Sequence, residues 1–202
     1  GFEWKGFGKE RIAGFVAGII LITTMASVLW LMNLLQWFTV DADIQGMFLV
    51  IGLLIVIAVG EELVFRGYIL NNLMQSIPKE AALILSAILF AVFHSLNPNF
   101  NLIAFINIFL AGVLLGINYI YTKNLWFAIF FHFSWNFFQG PVLGFQVSGI
   151  ELPTLLQQNI KGSMLLTGGQ FGLEASWLAT VAMSITVIIL YFIFQKKYST
   201  IA

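Results

Sequence analysis

Hydrophobic positions along this chain gather into blocks separated by short polar breaks, and about six of the blocks approach the length of a membrane span. A hydrocarbon core of about 30 Å takes roughly 20 apolar residues per helix. The blocks run approximately over residues 12–38, 46–71, 81–96, 102–121, 125–145 and 177–194. The third is short and ends at Asn97-Pro98-Asn99, a turn signal. The pattern predicts an all-α, polytopic transmembrane bundle. The one long connection, residues 146–176, carries Gly149, Pro153, Gly162, Gly168, Gly169 and Gly172, and its middle, 153–161, reads as a short interfacial helix. A loop of this length is either a connector or a lid over a site. Gly112 and Gly116 form a G-x-x-x-G pattern, whose ordinary meaning is close helix packing.

Composition points the same way. The 202 residues are 60% hydrophobic and 9% charged, with 21 Phe and a mean hydropathy of +0.95, which leaves too little polar surface for a soluble globule. The net charge of zero gives no reason to expect nucleic acid as a partner. The absence of cysteine removes disulfides, thiol catalysis and cysteine metal sites together. The chain starts at Gly1 rather than Met, which suggests that upstream helices have been trimmed.

Orientation follows from the basic residues. With six spans, Lys5, Lys9, Arg11, Lys79, Lys123, Lys196 and Lys197 fall on one side and Lys161 on the other, so the positive-inside rule puts both termini in the cytoplasm. Asp41 and Asp43 then lie in the first outer loop, and Trp30, Trp37 and Trp177 are interfacial anchors. The location expected is the cell membrane, with a bacterial cast that is compositional only.

Against this apolar background Gly60-Glu61-Glu62-Leu63-Val64-Phe65-Arg66-Gly67 stands out. An ionisable residue inside a span costs roughly 2.5–3.5 kcal/mol on insertion scales and marks a functional site by default. Glu62 and Arg66, four apart on a helix, share a face and can neutralise each other. Glu61 points about 100° away and is left without a local partner. The only two histidines, His94 and His132, also fall inside predicted spans, and His132 shares a helix face with Asn136. A depth count puts Glu61 nearer the cytoplasmic side and the other three at middle depths. Gathering them in one cavity is the cheapest way to satisfy such groups in lipid.

Glu61-Glu62-x-x-x-Arg66, Phe90-x-x-x-His94 and His132-x-x-x-Asn136, in this order on successive helices, resemble the three motifs of the CPBP family of CAAX-protease and bacteriocin-processing membrane proteins, also called Abi proteins. The likeness is good over about 46–145 and looser beyond, where 140–149 and 168–176 resemble the tails of bacterial members, and it implies a single domain of this type over 1–202. It implies an intramembrane endopeptidase acting on CAAX-type tails, leader peptides or bacteriocin-like peptides. Glu61 would be the base, His94 would hold and polarise the water, and His132 and Asn136 would supply the oxyanion donors. Glu62 and Arg66 would support them. The partners implied are the lipid bilayer and a peptide substrate, with no cofactor.

Other functions use the same residues. Glu61, His94 and His132 could hold zinc with a water in the fourth position, although there is no H-E-x-x-H and Asn136 and Arg66 would then lack a task. A non-enzymatic scaffold or bacteriocin-immunity factor is a second alternative. A proton-coupled carrier and a purely structural polar knot are the others.

Overall fold

The computed structural model describes residues 1–40 and 43–198; Asp41, read above as part of an outer loop, lies outside them. The chain is mostly helical. Six longer helices are α1 (Gly8–Leu31), α2 (Ile44–Glu62), α3 (Lys79–His94), α4 (Leu102–Thr122), α5 (Trp126–Phe137) and α6 (Trp177–Tyr198). Helix α2 runs on without a break into a π-helix, Leu63–Leu70, and a last α-turn, Asn71–Leu73. In the same way α5 continues as a π-helix, Phe138–Val142, with Pro141 inside it. Among the described residues four stretches are long and apolar enough to cross a membrane: Gly8–Leu31, Ile44–Leu73, Leu102–Thr122 and Trp177–Tyr198. Helix α3 has 16 residues, and α5 has 12 before its π-turn, so these two fall short of the full spans expected of them.

Two further expectations are corrected. The first apolar block does not stay helical to residue 38: α1 stops at Leu31, Asn33 takes a left-handed conformation (φ 57°), and Leu35–Thr39 is a strand, β1. Residues 153–161 are not an interfacial helix either. Leu156–Ile160 forms β2, antiparallel to β1 with Leu35 opposite Ile160 and Thr39 opposite Leu156. Side chains of β2 alternate between half-buried and exposed, the period-2 signature of a strand lying on a surface. Pairing with β1 satisfies the backbone N–H and C=O groups along the facing edges of both segments.

Close packing sets the helix positions. A Cβ on Gly112 would stand 2.9 Å from the Cα of Ala87, and one on Gly116 would strike the Leu83 side chain, so the small residues of α4 let α3 approach, as the G-x-x-x-G pattern predicts. A second such pair, Gly14 and Gly18 on α1, sits directly against the backbone of α5 at Phe127 and Phe131.

The bundle has two distinct ends. At one, Leu125 N donates to Gly1 O (2.9 Å), Lys197 pairs with Glu10 (3.0 Å), Lys123 reaches Asn71 and Lys79 sits over the Tyr121 ring. At the other lie the β1–β2 ribbon, the Asn97–Asn99 turn and the long connection, where Trp37 Nε1 donates to Leu143 O (2.9 Å).

Candidate active site

Helix α2 ends its α-helical course on Glu61 and Glu62, and the π-helix begins at the next residue. A π-turn adds a residue to the loop closed by each hydrogen bond, shifting the faces that follow, and is frequent at functional sites. Within it Arg66 bonds Glu62: Nη1 donates to Oε1 at 3.0 Å, while Nη2 donates to the carbonyl of Gly112 at 3.0 Å. The guanidinium also lies 4.4 Å from the ring centre of Phe90, a cation–π contact. Both residues are out of contact with the surroundings, at 0% and 1% exposure. The pair expected from spacing is present.

His94 closes α3 instead of standing in mid-span. Its Nδ1 is 2.8 Å from Phe90 O, and a carbonyl only accepts, so Nδ1 carries the hydrogen and Nε2 is the ring atom presented to the site. That Nε2 lies 3.5 Å from Glu61 Oε2. His132, on α5, places Nδ1 2.9 Å from Glu62 Oε1 and Nε2 4.0 Å from the same Glu61 Oε2. The two imidazoles are thus oriented alike, one by a carbonyl and one by a carboxylate, with Nε2 turned to one glutamate oxygen. Glu61 Oε2 is buried without a hydrogen-bond partner among the described residues.

Glu61, His94, His132 and Asn136 all line one cavity of about 180 Å³. Its remaining walls are largely apolar, including Leu54, Ile57, Phe90 and Ile108. Leu53 and Phe93 line it too and are about half exposed (49% and 56%), so it reaches the outer surface of the bundle between α2 and α3. The long connection roofs it with Val147, Ser148, Ile150 and Leu152.

One lining residue carried no role in the sequence. Glu174, 4% exposed, accepts Ser148 N–H at 2.7 Å, Ser148 Oγ–H at 3.0 Å and Trp135 Nε1–H at 3.2 Å. It ties the roof to α5. Burial pushes its carboxyl above the ordinary carboxylate range, and the Ser148 bonds offset only part of that. The signal available was a lone acid in the otherwise uncharged run Phe171–Trp177. Among the described residues no group of three His, Asp or Glu side chains is arranged to hold a metal ion.

Every residue of the three motifs falls inside the segment matched by one family model, Rce1-like, described as type II CAAX prenyl endopeptidase Rce1-like, over residues 43–138. The match stops before the tail stretches at 140–149 and 168–176. No curated protein and no solved structure matches the chain. Through residues 43–138, the part that holds Glu61, His94, His132 and Asn136, the chain is similar to the Rce1-like family of type II CAAX prenyl endopeptidases.

Proposed function

We propose that this protein hydrolyses peptide bonds within the membrane by a glutamate-activated water. One observation carries the assignment: Glu61 Oε2, buried and without a hydrogen bond among the described residues, faces two imidazole Nε2 atoms at 3.5 and 4.0 Å across a cavity. Such separations exceed a direct hydrogen bond, and one water spans them. Glu61 takes a proton from that water while its oxygen attacks the peptide carbonyl carbon. The C–N bond then breaks and the proton passes from Glu61 to the leaving nitrogen, giving a carboxyl and an amine.

His94 Nε2 accepts the second water hydrogen and aims the oxygen. His132 and Asn136 stabilise the oxyanion. With Nδ1–H committed to Glu62, His132 donates from Nε2 only as the imidazolium. Charge balance supports that state, because Glu61, Glu62, Arg66 and a charged His132 sum to zero in a medium hostile to net charge.

The bundle would cross the cell membrane six times as one domain, with α3 and α5 as its short crossings and the basic end in the cytoplasm. A bacterial membrane is the reading we favour. Candidate substrates are CAAX-type tails, leader peptides and bacteriocin-like peptides.

A zinc-dependent variant remains the second reading, favoured by the shared direction of the two Nε2 atoms and by the way each Nδ1 is held, as is usual for metal-bound histidine. The test is cleavage of a fluorogenic peptide library by detergent-purified protein, as wild type, Glu61→Gln and His94→Ala, with and without chelator. Chelator-resistant cleavage lost in both variants supports the water mechanism. Loss on chelation with recovery on added zinc would replace it by the metal one, and cleavage equal in all three proteins would leave a scaffold or immunity role.

A further inference from the structure

We propose that Glu174 is a positioning residue of this site. Through Ser148 and Trp135 it fixes the turn Val147–Ile150 against α5, and that turn forms the apolar wall that receives a substrate side chain. The substrate half of the proposal rests on the endopeptidase assignment above; the fastening of the turn does not.

Glu174 is built into the cavity from behind. Its backbone is anchored to α4, where the fully buried Asn107 donates from Nδ2 to the carbonyls of Glu174 (2.7 Å) and Ser176 (2.8 Å) and accepts from Thr180 Oγ1 (2.7 Å). From that fixed base the carboxylate divides its two oxygens. Oε2 takes both donors of Ser148, and Oε1 takes the indole N–H of Trp135. Trp135 stands on the turn of α5 that carries His132 and Asn136, and all three line the cavity.

The turn it holds is strained. Val147 and Ile150 exchange both backbone hydrogen bonds at 2.9 Å, so Ser148 and Gly149 are the central residues of a tight hairpin turn, with φ of 49° and 81°. Glycine adopts such a conformation freely, whereas serine holds it only where its surroundings impose it. At Ser148 the imposing group is Glu174, which bonds the N–H and the hydroxyl together. The tip is also wedged: Gly149 N donates to Phe171 O at 2.9 Å, and a Cβ on Gly149 would strike the Pro98 carbonyl. These backbone contacts keep the turn formed without Glu174; the carboxylate adds the attachment to α5. Val147, Ile150 and Leu152 face the cavity from this roof. In a space of about 180 Å³, a peptide with its carbonyl at Glu61 sets a neighbouring side chain against them.

Glu174→Gln keeps the size but has one acceptor oxygen, so it holds Ser148 or Trp135 and not both. Trp135→Phe keeps the ring and drops the N–H, and Ser148→Ala drops only the hydroxyl. Peptide cleavage is measured below the Tm of each detergent-purified variant, per folded protein. The expected result is a KM raised roughly tenfold by Glu174→Gln and by Trp135→Phe, with kcat within about threefold of wild type. The double variant should be no worse than either single one, because both cut the same tie. Ser148→Ala should shift KM less, in the same direction. With no native cysteine in the chain, Val147→Cys, at a position 7% exposed, reports the turn by its rate of maleimide labelling. Glu174→Gln should raise that rate about tenfold. A lower Tm with KM and labelling unchanged overturns the proposal, and faster labelling with unchanged KM overturns the substrate role. If wild type cuts no peptide, the endopeptidase assignment fails, and the labelling by itself decides whether Glu174 fastens the turn.

Discussion

Nδ1 of His132 lies 2.9 Å from Oε1 of Glu62, and that same oxygen receives Arg66 Nη1 at 3.0 Å. One fully buried carboxylate therefore orients an imidazole from α5 and neutralises a guanidinium from its own helix. Its neighbour in sequence, Glu61, has neither duty and faces the cavity. The two adjacent glutamates meet different neighbours because successive helical residues point about 100° apart.

That division separates two variants. Glu62→Gln leaves a buried guanidinium without its anion, and removing one partner of such a pair costs about 3–5 kcal/mol. Glu61→Gln breaks no direct hydrogen bond and should cost less, about 1 kcal/mol, while cleavage falls roughly 10²- to 10⁴-fold with the loss of a general base. Denaturant unfolding in detergent alongside peptide cleavage checks both. Equal destabilisation by the two changes, with no difference in cleavage, would mean a purely structural polar cluster.

Close approach of α3 and α4 makes Gly112 sensitive in a second way. Gly112→Ala puts a methyl 2.9 Å from Ala87 Cα, and such overpacking costs about 1–3 kcal/mol. The same α4 turn supplies the carbonyl that accepts Arg66 Nη2, so activity should fall along with Tm. Gly52→Ala, with nothing within 4 Å of the added Cβ, should stay within about 1 kcal/mol of wild type. Thermal unfolding of the pair decides the point.

Glu174 makes the roof pH-sensitive. Its carboxyl is raised above the ordinary value of 4.5, burial being the main cause, so the folded protein binds that proton more tightly than the unfolded chain does. The resulting stability is fully present below 4.5 and is lost as pH rises through the raised value. Glu174→Gln cannot ionise, so the Tm of wild type should decline relative to the variant as pH rises from about 4.5. Parallel Tm curves across this range would show that Glu174 titrates alike in both states.

Local chemistry made much of this protein legible from the chain alone. Blocks of apolar residues announce the membrane, because a hydrocarbon core selects for length and hydropathy along one helix at a time. The Glu62–Arg66 pair follows from four-residue spacing, and the three motifs singled out Glu61, His94, His132 and Asn136, which do line one cavity. The tertiary structure decided what depends on distant neighbours. Residues 35–39 and 156–160 become strands only because they find each other across more than a hundred residues, and neither has an edge to pair with until the helices bring them together. The π-turns after Glu62 and Phe137 shift register to meet contacts on other helices. Glu62 turns out to hold His132 as well as Arg66, and Glu174 reaches the cavity from a glycine-rich loop whose sequence does not set it apart from Glu151. A helix encodes its own spacing, while the packing of one element against another is set by the whole bundle.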